Sequence, residues 1–172
     1  YIADSFGCMR PFDMSRQVKE FSSNYNTIGV HTHDNLGLAF ANTLQAIQDG
    51  ASIVDTTFFG MGRGVGNAKT EQLLSYCEYS GATKLTPDCR TFMSVHMIPL
   101  QEKHRWGFNL EYMFCGLHDI HPTYCQKLQS LPIKDSKVQE ILNDIPKSDR
   151  ISFNEIHTTI KQNVSVIIPA RY

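Results

Sequence analysis

The stretch Thr27-Ile-Gly-Val-His-Thr-His-Asp-Asn-Leu-Gly37 decides the fold. Its first seven residues alternate and are rich in β-branched types, which reads as a strand over 27–33. Asp34-Asn35 marks where the chain leaves that strand. Leu36 to Asp49 then reads as a helix, with Phe40, Leu44 and Ile47 on one stripe and Gly50 as its stop. The same order recurs on both sides. Upstream, Tyr1–Gly7 reads as a strand running into a loop. Pro11 to Asn24 follows as a helix with Met14, Val18 and Phe21 on its buried face. Downstream, Ser52–Phe58 reads as a third strand, Gly60–Gly66 as a loop and Asn67–Tyr79 as a third helix. Strands that alternate with helices predict an α/β fold with parallel strands.

Composition narrows the function classes. The 172 residues are 41% hydrophobic and 19% charged, enough for a core and too apolar for disorder throughout. A net charge of −1 lacks the basic surplus of a nucleic-acid-binding module. No run approaches the length of about 18 apolar residues that a membrane span needs. Five cysteines without a C-x-x-C pair fit neither a disulfide framework nor a zinc knuckle. Free thiols, with no leader-like segment ahead of the first strand, predict a cytoplasmic protein. After Gly81 the rhythm changes. Pro87 to Tyr124 reads as mainly helical, interrupted at Pro122, and Lys134–Ile145 and Ile151–Lys161 read as amphipathic helices. Asn163-Val-Ser-Val-Ile-Ile-Pro-Ala170 is an abrupt β-branched run that starts something new.

His31 and His33 are the sharpest chemical signal. Residues two apart on a strand share a face, so both imidazoles project together at the carboxyl end of the strand. Active sites of α/β folds gather at that end. Two such imidazoles suit adjacent positions around a divalent metal, or serve as hydrogen-bonded groups of a polar strand end. The loop Gly60-Met-Gly-Arg-Gly-Val-Gly-Asn67 has four glycines at alternate positions, which allow positive φ and close backbone approach. It is not a G-x-x-x-x-G-K-[ST] phosphate loop. It reads either as a tight connection or as a cradle for an anion or carbonyl oxygen. Asn67 reads as a cap of the following helix or as a donor of its amide oxygen to a metal, and residue type favours the cap. Asp4-Ser5 and Asp55-Thr56-Thr57 stand at strand ends, where alternation lets only one of two neighbours face a site. His118 and His121 are three apart, which on a helix puts them on one face.

Asp4-Ser-Phe-Gly7, His31-Thr-His-Asp-Asn-Leu-Gly-Leu-Ala-Phe-Ala-Asn42 and Gly60–Asn67, in this order, resemble the last three βα units of the metal-dependent lyase barrels. That superfamily includes hydroxymethylglutaryl-CoA lyase, 4-hydroxy-2-oxovalerate aldolase and the isopropylmalate synthases. The resemblance covers residues 1–82 and implies the C-terminal part of a TIM barrel. Gly-Val-Gly-Asn-Ala-Lys-Thr-Glu71 resembles the aldolase branch, and Gly62-Arg63-Gly64 lacks the Glu that the synthases carry there. Residues 83–162 are then expected as a helical extension, and 163–172 as a linker or the first strand of a following domain. Eight strands take about 250 residues. Three βα units cannot close such a barrel, so the chain is expected to be a segment of a longer protein. The family's first-strand Arg-Asp pair has no counterpart in it.

By the resemblance, His31 and His33 are metal ligands, Asn67 is a further ligand, and Ser5 lies near substrate. Residues 107–124 resemble the aldolase extension that carries a catalytic Tyr. His121 falls at that place, with Tyr124 nearby, and is the expected general base. The implied activity is a carbon–carbon lyase: an aldolase that uses Mn²⁺ or Mg²⁺ on a 4-hydroxy-2-oxo acid and releases or adds pyruvate. An acyl-CoA-dependent 2-oxo acid synthase of the same barrel and a non-catalytic scaffold segment are the alternatives. Val166-Ile-Ile-Pro-Ala-Arg-Tyr172 resembles the opening strand of the CMP-sugar synthetases. That implies a fused or associated cytidylyltransferase domain and a role in sugar-acid or surface-polysaccharide synthesis. A small-molecule partner and a homo-oligomer are expected, and neither nucleic acid nor membrane.

Overall fold

The computed structural model describes residues 1–82 and 87–151. The chain divides into two units, residues 1–109 and 110–172. In the first, β1 (Ile2–Asp4), α1 (Pro11–Ser22), β2 (Gly29–Thr32), α2 (Ala39–Gln48), β3 (Ile53–Asp55) and α3 (Thr70–Tyr79) follow in order. The three strands form one parallel sheet in the order β1-β2-β3. Two rows of residues cross it in register. Ile2, Val30 and Val54 form one row, and Ala3, His31 and Asp55 the next.

The first row lies against the helices. Ile2, Met14, Val18, Ile28, Val30, Ala46 and Ala51 form the buried cluster, with Met9 and Val54 against it. The other face is open: Tyr1, Ala3, Ser5 and Ile53 are exposed. A sheet with one face covered normally keeps the other polar or covers it too. Here that face carries the histidines.

Each helix start and stop has a local cause. Pro11 at the first helical position matches its fixed φ to the helix, and the Asp13 carboxylate accepts from the Arg10 backbone N–H at 3.3 Å. Met14 and Val18 are fully buried as the spacing predicts, while Phe21 is 42% exposed. At the end of α2, Gly50 takes φ +106° and Ala51 N–H donates back to the Ala46 carbonyl. The α2 stripe is not the expected one. Ala39, Asn42, Thr43 and Ala46 face inward, and Ile47 is 39% exposed. Small residues let α2 sit close to the sheet. Some of its inward polar atoms are partnered: Thr43 and Thr32 hydroxyls meet at 2.9 Å, and the Asn42 amide nitrogen donates to the Met9 carbonyl at 2.8 Å, while Asn42 Oδ1 is buried without a hydrogen-bond partner.

Beyond α3, residues Pro87–Phe92 (α4), a π-helical turn Met93–Met97 and Ile98–His104 (α5) complete the first unit. Pro99 removes one helical N–H just after the π turn, a place where the hydrogen-bond ladder must shift. In the second unit the described elements are α6 (Leu110–Leu117), α7 (Pro122–Gln129) and α8 (Asp135–Asp144). Tyr124, Cys125, Leu128, Val138, Leu142 and Ile145 are buried there. His118 and His121 do not share a helix face. α6 ends at Leu117, Asp119 turns the chain with φ +55°, and His121 caps α7. Pro122 therefore opens a helix rather than breaking one. Most of the expected 151–161 helix, the 163–170 strand and the Val166–Tyr172 motif lie outside the described residues.

Met14 and Phe12 provide a direct test of which face carries the stability. Met14→Ala is expected to cost about 2–5 kcal/mol. Phe12→Ala, at a 77% exposed position, is expected to stay within roughly 0.5 kcal/mol. Equilibrium denaturation of both variants checks the contrast.

Candidate metal site at the strand ends

His31 and His33 project from the open face at the end of β2, with ring centroids 4.9 Å apart and planes at 76°. Both rings are fixed through Nδ1. His33 Nδ1 lies 2.8 Å from the Asp4 carbonyl, which can only accept, so this nitrogen carries the proton. His31 Nδ1 lies 3.2 Å from Asp55 Oδ2, and an ionised carboxylate likewise only accepts. Each neutral ring then presents Nε2 as a bare lone pair. Burial pushes the His33 imidazole below its usual pKa, aided by the nearby His31 and Arg63 charges and opposed by the Asp4 carbonyl. The neutral, ligating form is thus favoured at neutral pH.

Asp4 itself faces away from the histidines. Its carboxylate accepts from the backbone N–H groups of Cys8 at 3.1 Å and Met9 at 3.3 Å, closing the loop after β1. Burial pushes its pKa up, against those N–H contacts. Ser5, the first residue of the turn after β1, is exposed.

The glycine loop brings Asn67 to the same place. Asn67 forms an isolated bridge opposite His33, and Asp34 N–H donates to the Gly66 carbonyl at 2.8 Å. Two glycines make this possible. Gly66 has φ +100°, and a Cβ there would lie 1.9 Å from the Gly60 carbonyl oxygen. A Cβ on Gly62 would lie 2.6 Å from the Asn67 amide nitrogen. The loop is a self-satisfied knot rather than an anion cradle at these positions: Gly60 N–H donates to Thr57, Gly66 N–H to Arg63 and Asn67 N–H to Gly60. Glu71 anchors it from α3, accepting the Phe59 N–H at 3.0 Å, with Phe59 held at φ +52°. The Trp106 indole donates to the Phe59 carbonyl at 2.9 Å. Glu71 was visible only as part of a motif, and nothing local marked Trp106, 47 residues away.

Asn67 does not cap a helix. α3 starts at Thr70 with Lys69 in the cap position. The Asn67 amide nitrogen donates to the Met61 carbonyl at 3.2 Å, which turns Oδ1 the other way. That oxygen is buried without a hydrogen-bond partner, as is the Thr57 hydroxyl two residues beyond Asp55. A buried orphan acceptor costs about 1–3 kcal/mol unless something meets it. Two Nε2 lone pairs and this oxygen form a donor set that suits a divalent cation. Among the described residues no three His, Cys, Asp or Glu side chains gather around one point. The set therefore holds no acidic ligand.

His121 lies in the second unit. It is buried, and its Nδ1 accepts from Thr123 N–H at 3.2 Å as the cap of α7. Its backbone N–H donates to the Arg150 carbonyl, and the neighbouring Tyr124 hydroxyl donates to the Asp149 carbonyl. No helix among the described residues is long and apolar enough to cross a membrane.

Gly66→Ala is expected to detach Asn67 from His33 and to lower the thermal midpoint, since both φ and space forbid a Cβ. An NMR pH titration of His33 is expected to give a midpoint below the ~6.5 of a free imidazole. Burial disfavours the charged form, so the proton is taken up only at lower pH.

Residues 1–97 match the HMGL-like family model. The 4-hydroxy-2-oxovalerate aldolase of Carboxydothermus hydrogenoformans is 45% identical over 76 residues, 44% of this chain and 23% of that one. The enzyme of the same name from Bacillus thuringiensis is 38% identical over 96 residues, covering 55% and 28%. The chain thus spans about a quarter of the length of the curated relatives it matches. Among solved structures, the N-terminal domain of a Bacteroides vulgatus protein described as a candidate aldolase aligns with a TM-score of 0.69 at 35% identity. The alignment covers 74% of this chain and 43% of that one. The carboxyl transferase domain of Rhizobium etli pyruvate carboxylase shares the fold at 18% identity, with a TM-score of 0.65 over 99% of this chain and 33% of that one. With more than half of its residues matched, the chain belongs to the HMGL-like family.

Proposed function

We propose that residues 1–82 are the last three βα units of a (β/α)8 barrel, followed by a helical extension, in a divalent-metal-dependent aldolase for 4-hydroxy-2-oxo acids. The observation that carries this reading is the pair of imidazoles with Nδ1 tied and Nε2 bare, beside the orphan Asn67 oxygen. The names of the relatives supply the substrate class. His31, His33 and Asn67 hold the cation. The open strand face and the absent acidic ligand are both completed by further barrel strands.

When bound, Mn²⁺ or Mg²⁺ would supply Lewis acidity toward the charge that develops as the C3–C4 bond breaks. The chain's own residues do the rest. Asp4 and Asp55 keep the ligand imidazoles oriented. Ser5, exposed in the turn after β1, is assigned to the substrate side. By its place in the segment that resembles the aldolase extension, His121 is assigned to take the proton of the 4-hydroxyl as general base, a role in which Nδ1 must give up its Thr123 N–H contact to free a lone pair.

Three measurements test the reading. EDTA is expected to abolish aldol cleavage by the complete protein, with Mn²⁺ restoring it, and His33→Ala is expected to prevent that recovery. Full activity in EDTA overturns the metal assignment. His121→Asn retains a side chain suited to the helix cap, so its thermal midpoint is expected to hold. Its kcat is expected to fall by about 10²–10⁴; an unchanged kcat removes His121 from the chemistry. Residues 1–172 alone are expected to cleave no 4-hydroxy-2-oxovalerate.

A further inference from the structure

We infer that Asp55 is the positioning residue of the His31 ligand and that Tyr1 holds Asp55 in place. The inference rests on His31 being a metal ligand, as proposed above. Asp55 and His31 are direct partners in the β2–β3 register, so their side chains leave the sheet on the same face and at the same level. The small Ala3 is His31's partner on the other side. Asp55 Oδ2 accepts a hydrogen bond from His31 Nδ1–H at 3.2 Å, and Asp55 Oδ1 accepts from the Tyr1 hydroxyl at 3.3 Å. Both carboxylate oxygens are thereby assigned, and the carboxylate has little freedom to rotate away.

The Tyr1 ring reaches Asp55 by lying across β2. A Cβ on Gly29 would come within 2.6–2.7 Å of three ring carbons, so only glycine leaves a seat for it. The result is one hydrogen-bonded chain over three strands, from the Tyr1 hydroxyl through Asp55 to the imidazole of His31.

The magnitude of the pairing tells what it is for. The side chains of His31 and Asp55 are 31% and 45% exposed. Even a full ion pair that wet would be worth only about 0–1 kcal/mol, and the hydrogen bond of a neutral imidazole adds little to stability. Its chemical effect is larger. A carboxylate on Nδ1 selects the tautomer with a free Nε2 and raises that nitrogen's basicity. Loss of such an outer partner typically weakens metal binding about 10–100-fold.

The experiment uses the complete protein with Asp55→Ala, Asp55→Asn, Asp55→Glu and Tyr1→Phe. Two readouts are taken: Mn²⁺ affinity by titration, and the His31 tautomer in the metal-free protein by two-bond ¹⁵N–¹H NMR. Wild type is expected to show His31 protonated on Nδ1. Asp55→Ala is expected to bind Mn²⁺ about 10–100-fold more weakly and to redistribute the tautomer. Asp55→Asn is expected to show the weakening with an unchanged thermal midpoint. Asp55→Glu is expected to recover most of the affinity, and Tyr1→Phe to show a smaller loss in the same direction. Wild-type Mn²⁺ affinity and an unchanged tautomer in Asp55→Ala overturn the inference. A wild-type protein that binds no Mn²⁺ overturns the metal reading alone, and the tautomer comparison still decides whether Asp55 positions His31.

Discussion

The two-residue alternation of β2 is the constraint on which the rest of the first unit depends. Val30 and Thr32 point to the helices and are buried, which leaves His31 and His33 no choice but the open face. A shift of one residue in the pairing would put both imidazoles into the apolar cluster. The register is held from the buried side by Ile2, Val30 and Val54, and by the Thr32–Thr43 contact to α2. Packing on one face thus sets the chemistry of the other.

The second element of the site is a loop that satisfies itself. Its glycines do not offer N–H groups to an anion at Gly60, Gly66 and Asn67, because those donors are used within the loop. Their role is clearance. Without side chains at Gly62 and Gly66, the loop closes tightly enough to bring Asn67 opposite His33. Its amide nitrogen donates to Met61, and the amide oxygen is left buried without a hydrogen-bond partner. Glu71 and Trp106 hold the strained Phe59 backbone from outside, so the loop's shape is imposed by neighbours as well as by its own residues.

Much of this was legible before any coordinates. The strand-helix order follows from hydrophobic period and turn residues, and each of the three strands and three α-helices over 1–79 lies within its expected span, while the 3-10 turn Phe58–Gly60 is not among the expected elements. The common face of His31 and His33 follows from their spacing alone. The expected α2 stripe differs from the observed one because Phe40, Leu44 and Ile47 are the most apolar residues of that helix. Close approach to the sheet instead selects the small Ala39, Thr43 and Ala46. Asn67 reads as a cap because asparagine commonly is one, yet Ala68 and Lys69 stand between it and the first residue of α3. His118 and His121 had helical spacing but flank a turn, which no residue between them announced except Asp119.

The sequence by itself determined the order of strands and helices over 1–79, the shared face of His31 and His33 and which loop needs glycine. These are local consequences of backbone geometry. Only the tertiary structure decided what each polar group is bonded to. Asp55 stands 24 residues from His31, and Asp4 is 29 from His33. Nothing in either separation reveals that one imidazole is held by a carboxylate and the other by a backbone carbonyl. Parallel pairing brings those atoms together across strands joined by helical crossovers. The ring tautomers, and hence the nitrogens free to bind a ligand, exist as defined groups only once that pairing has formed.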